Sequence, residues 1–217
     1  MTRFVVGLDC VVTGVSVAAF VEGASSPVTR FVRAPRIGVY NAVTETVRTL
    51  VTANDVMESI LKSGIPEFVV MMKPTMGAPR GPKKDDSAPR RMMLAGEIQR
   101  QLVEARIPVA EVSSMTLVGW LLGAGRKYPP RDFGPLEQAI QDAWRPGEPD
   151  DGFRLTTVAV AAVAAVVAGI ETRKKVENSS LAALRELRLP DGWEFPETAS
   201  QWNRLHVKSV QPEEDVA

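Results

Sequence analysis

The 217-residue chain has one cysteine, one histidine and no net formal charge, and each scarcity excludes a class of function. A lone Cys10 cannot build an internal disulfide framework or a Cys-rich zinc site. The histidine, His206, is remote in sequence from every acid considered below, which argues against a nucleophile and histidine dyad. Because 26 Lys and Arg balance 26 Asp and Glu, no global field pulls the protein toward a polyanion or a membrane, so any such affinity must be local. The start, MTRFVVGLDC, lacks the basic, apolar and small-residue order of a signal peptide and points to cytoplasmic residence. The most apolar run, Leu155 to Ile170, is too short to span a bilayer and reads as a buried core helix. Walker and Rossmann glycine patterns are missing, so no nucleotide cofactor is expected. No internal repeat stands out.

What is present is an ordered series of elements. Residues 3–9, 14–22 and 27–33 are rich in Val and Phe and separated by short turns, which predicts three antiparallel strands in series. From Asn41 to Lys62 apolar residues recur at intervals of three and four, with Asn41 placed to cap an amphipathic helix and Gly64 to stop it. A strand at Phe68–Met72 runs into KPTMGAPRGPKKDDSAPRR, a Pro- and Gly-rich loop with six basic residues and two acidic ones. A helix from about Arg90 to Ala105, a strand at Val109–Val112, a helical turn at 115–122, a second basic loop at 123–132 and a helix at 135–144 follow. Strands alternating with helices after a meander predict an α/β layer with a mixed sheet. Residues 171–217 change composition and read as a C-terminal appendage, on the surface and partly disordered, following a domain at 1–170.

Three local patterns carry chemistry. FVVGLDCVVTGVSVAAF delivers Asp9 at the end of an apolar strand, where an aspartate either caps a turn or serves a site. FVVMMKPTMGA ends a strand in Met71 and Met72, at the kind of edge where an enzyme displays a catalytic acid. DDGFRLTTVAVAAVAAV places Asp151 and Arg154 before an Ala-rich helix, and Asp151 could equally be that helix's N-cap. The basic residues Arg80, Lys83, Lys84, Arg90 and Arg91, with Arg126 and Lys127 in the second loop, suit phosphate contacts or form solvated loops.

In element order and in these motifs, residues 3 to about 170 resemble the RuvC-like Holliday junction resolvases of the ribonuclease H-like superfamily. The resemblance implies a mixed five-stranded sheet, three antiparallel strands then two parallel, with flanking helices. It also implies homodimers engaging branched DNA and four carboxylates that hold a pair of Mg²⁺ ions. Asp9 matches the first of those acids and Asp151 the first of the closing pair, while Met72 and Arg154 stand at the other two positions. A thioether is a soft, weak ligand, and a guanidinium only donates hydrogen bonds. The expectation is therefore a nucleic-acid-binding relative with a degenerate centre and no metal cofactor. The rivals are an active endonuclease using Mg²⁺ or Mn²⁺, with Asp85, Asp86, Asp150 or Glu97 replacing the missing acids, and an assembly protein reusing the fold.

Overall fold

The computed structural model describes residues 2–24, 26–74, 85–123 and 133–202. Five strands, β1 (Phe4–Val11), β2 (Gly14–Val21), β3 (Val28–Arg33), β4 (Phe68–Met72) and β5 (Val109–Val112), form one sheet in the order β3-β2-β1-β4-β5. The first three are mutually antiparallel, and β4 and β5 run parallel to β1, as the element order predicted. Among the described residues six helices flank it: α1 (Ala42–Leu61), α2 (Ala88–Glu104), α3 (Ser114–Leu122), α4 (Gly134–Trp144), α5 (Thr156–Ala168) and α6 (Asn178–Leu184).

Every residue of β1 is buried, because helices cover both faces of the sheet. Successive side chains of a strand point to opposite faces. Phe4, Val6, Leu8 and Cys10 therefore meet Val56, Met57 and Ile60 of α1 and Leu94, Ile98 and Leu102 of α2. Val5, with Ala18, Phe20, Phe68 and Val70, meets α5 and the helices behind it. All thirteen residues of α5 are buried, which explains how a helix of Ala, Val and Thr can lack a polar face. Small side chains let it lie directly on the sheet. A Cβ on Gly7 would stand 2.2 Å from the Ala161 nitrogen and 2.8 Å from the Thr157 carbonyl oxygen, so β1 needs glycine there.

Asn41 caps α1 as its sequence suggested: its side chain accepts the Thr44 N–H at 2.9 Å, and the Thr44 hydroxyl accepts the Asn41 N–H at 3.0 Å. Elsewhere the boundaries move. α2 starts at Ala88, with a proline in its first turn, where a start near Arg90 was expected. The larger departure concerns the stretch expected to be a surface appendage. Val176, Leu181, Leu184 and Trp202 are buried in the α5-side core, Trp202 donates its indole N–H to the Val166 carbonyl at 3.2 Å, and Trp193 packs on Phe68 with ring centroids 4.6 Å apart. Residues 203–217, which include the end of the appendage expected to be partly disordered, lie outside the described residues. No helix among the described residues is long and apolar enough to cross a membrane.

Candidate functional site

Strand alternation decides what shares a face with Asp9. The odd-numbered residues of β1 face α5, so Asp9 lies at the end of the strand on the side where that helix begins. Across the antiparallel pair its neighbour is Ser16 of β2. On the other side β1 pairs with β4 in the register Leu8 to Met71, and one step further along the strands brings Met72 alongside Asp9. Ser16, Asp9 and Met72 thus form one row on the α5 face. Met72 is half-buried and packs against the core of that face.

Arg154 closes the row from above. Its backbone N–H donates to the Ser16 hydroxyl at 2.9 Å, which ties the chain entering α5 to the end of β2. Its Nη1 lies 3.8 Å from Asp9 Oδ2, an ion pair between a carboxylate side chain 7% exposed and an arginine side chain 57% exposed. Burial pushes the Asp9 carboxyl up to about 6, and the nearby positive charges of Arg154 and then Arg91 hold it back from rising further. The same burial, reinforced by the Asp9 charge, pushes the Cys10 thiol well above its ordinary range, consistent with an inert strand residue facing the opposite core.

Asp151 does not join this row. Its side chain is 92% exposed and accepts from Arg33 Nη2 at 2.8 Å. It does not cap α5 either, because that helix begins at Thr156 with Leu155 at the cap position. Asp150, beside it, accepts the Phe31 N–H at 3.0 Å. Both acids of the loop therefore fasten it to β3 at the sheet edge, where the edge strand offers an unpaired N–H and a basic side chain. The two acids that the resemblance matched to metal-ligand positions therefore stand apart: Arg154 lies beside Asp9, while Asp151 turns to Arg33.

The basic residues at the start of α2 are also engaged within the molecule. Arg90 lies 3.6 Å from Glu45 and over the Tyr40 ring at 4.4 Å. Arg91 pairs with Asp85 at 2.7 Å and donates to Ser87. The hydrogen bonds from Arg91 and Ser87 hold the Asp85 carboxyl well below the usual carboxylate range, and Glu97 is lowered by its bond from Arg100. Asp85 and Glu97, candidates to replace the missing acids, are thus bound to arginines of their own. Arg80, Lys83, Lys84, Arg126 and Lys127 lie outside the described residues. A polar cleft of about 390 Å³ opens beside β5 rather than over Asp9, lined in part by Lys73, Glu111, Thr116 and Glu186.

Sequence reasoning missed Ser16. Its signal was available: in GVSVAAFV it is the polar side chain at an inward-facing position of an otherwise apolar strand, and it is completely buried.

Searches for a matching family model and for a similar curated protein found nothing. Among solved structures, the chain is similar to Thermus thermophilus RuvC, with a TM-score of 0.51 and 17% identity over 73% of this chain and 91% of that one. It is also similar to T. thermophilus RuvC in complex with Holliday junction substrate, with a TM-score of 0.54 and 15% identity over 87% of this chain and 99% of that one. The chain has the RuvC fold. Within that fold, Asp9 is the acid at the end of the first strand, and the row beside it contains a hydroxyl and a thioether, with a guanidinium above. Among the described residues, no three His, Cys, Asp or Glu side chains gather closely enough to hold a metal ion. Mg²⁺ takes hard oxygen donors in a near-octahedral set, so this group of side chains does not fit it.

Proposed function

We propose that this RuvC-fold chain is a nucleic-acid-binding protein, suited to branched DNA, whose nuclease centre has been rebuilt without a metal. The observation that carries the reading is Arg154 Nη1 at 3.8 Å from the buried Asp9 carboxylate. A fixed guanidinium at that distance supplies the positive charge an ion would bring and repels a second cation. Met72 beside Asp9 removes the oxygen donor that a two-metal site needs from β4. Support for DNA as the partner comes from the fold likeness to a protein solved with Holliday junction substrate.

We further read the working form as a homodimer. Val43, Val47, Leu50 and Val51 line an exposed stripe of α1 that continues to Val39 and Tyr40, an apolar surface open to a partner. A second copy applying the same stripe across a two-fold axis doubles that area in a single self-complementary contact.

Gel-shift titrations of a four-way junction, a linear duplex and a single strand in EDTA, at two salt concentrations, test the function. Binding of the junction without divalent cations, and no cleavage when Mn²⁺ is added, is the expected result. Absence of binding to all three, or Mn²⁺-dependent cutting of the junction, overturns the reading.

A further inference from the structure

Arg154 is more than a neutral plug. Its contact with Asp9 is an ion pair at 3.8 Å, too long for a hydrogen bond, and no guanidinium N–H of Arg154 is committed to a hydrogen bond among the described residues. More than half of the side chain is exposed. A guanidinium has five N–H donors in a planar fork that matches two oxygens of a phosphate. The residue is fixed through its backbone, and its guanidinium is drawn to one carboxylate. The Arg154 N–H is anchored to Ser16, its carbonyl accepts the Thr157 N–H at 3.0 Å in the first turn of α5, and Asp9 attracts it from below. The thirteen-residue α5 begins two residues later, at Thr156, so the positive end of that helix dipole lies near. Anchoring of this kind lowers the ordering cost that an arginine pays on binding.

We infer that Arg154 is a direct ligand for one backbone phosphodiester of the bound nucleic acid, gripping its non-esterified oxygens at the position where a metal-dependent relative would use cations. This inference rests on the nucleic-acid-binding reading above. Asp9 has a defined part in it. The groups facing its carboxylate are Ser16 from β2, Met72 from β4, Arg154 from the start of α5 and, at longer range, Arg91 from α2, which is itself paired with Asp85. An ionised Asp9 spends part of the Arg154 charge and repels the phosphate, whereas an uncharged side chain there leaves the full guanidinium charge to the ligand. Loss of that carboxylate charge therefore strengthens binding, and does so more in the wild type than in an R154A background, where only the direct repulsion is relieved.

The experiment measures dissociation constants of the full chain for a fluorescein-labelled four-way junction and duplex, in EDTA, from about 50 to 200 mM salt. The variants are R154A, R154K and D9N, each checked for folding by thermal denaturation. R154A is expected to weaken binding about tenfold and to reduce the slope of log K against log salt by about 0.9, the value of one phosphate contact. R154K is expected to recover the slope but only part of the affinity, since a point charge replaces a two-pronged contact. D9N is expected to bind more tightly than wild type at pH 7.5. Inorganic phosphate added at matched ionic strength should not compete at millimolar concentration, because a single anchored arginine is too weak a site without the rest of the strand. Folded R154A with wild-type affinity and salt slope overturns the inference while leaving the nucleic-acid-binding reading intact. Wild-type protein that binds neither DNA overturns both.

Discussion

Replacing Asp9 by asparagine removes a charge from a buried position while keeping the shape of the side chain. The Asp9 carboxyl sits at about 6 in the folded chain, against 3.8 as its ordinary value. A folded state that holds its proton more tightly than the unfolded state gains from low pH. That gain is complete below about pH 4 and is lost as pH rises through 6. The difference of about two pH units corresponds to about 3 kcal/mol forfeited at neutral pH. Asparagine has no charge to desolvate, so D9N should match wild type near pH 4 and exceed it by up to about 3 kcal/mol above pH 6.5. In a chain of this size that amounts to a rise in Tm of roughly 6–12 °C. Arg154 loses its partner in the variant, but a side chain 57% exposed is solvated by water and costs little. Urea unfolding at pH 4.0, 5.5 and 7.5 reads the effect directly. A D9N variant that is less stable than wild type at pH 7.5, or whose advantage is the same at all three pH values, would refute the claim that burial outweighs the arginine's pull on Asp9.

Three further variants test the packing and the assembly. G7A forces a methyl group to within 2.2 Å of the α5 backbone and should cost about 3 kcal/mol or prevent folding, whereas G96A on the exposed face of α2 meets nothing within 4 Å and should be neutral or stabilise by up to about 1 kcal/mol; thermal melts of the pair measure the contrast. The double variant V43D/V47D places two charges on the exposed α1 stripe and should shift sedimentation from dimer to monomer with little loss of stability, while a wild-type protein that is already monomeric at high micromolar concentration argues against the dimer.

The fold was largely legible because its signals are local. Val- and Phe-rich strands, the cap at Asn41 and the unbroken Ala and Val run of α5 each specify their element without reference to a distant partner. The placement of Met72 was legible for a related reason: a residue at the end of an apolar strand has a face fixed by alternation. The loop acids were not. Which way Asp150 and Asp151 point depends on an edge N–H at Phe31 and a guanidinium at Arg33, more than a hundred residues away in sequence. Arg90 and Arg91 read equally as phosphate contacts or as solvated loop residues, because charge clustering alone does not reveal their partners Glu45 and Asp85. The segment after residue 170 reads as a surface appendage because its buried side chains are spread among charged ones and each short piece contributes only one or two anchors, such as Leu181, Leu184 and Trp202.

Calorimetric titration of Mn²⁺ into wild-type protein and into the M72E/R154D variant puts the central claim to its most direct test. A centre built around the Arg154 and Asp9 pair should give no stoichiometric heat in the wild type, and restoring two carboxylates to the row should create measurable binding. Tight, stoichiometric Mn²⁺ binding by the wild-type chain, abolished by D9N, would contradict the account.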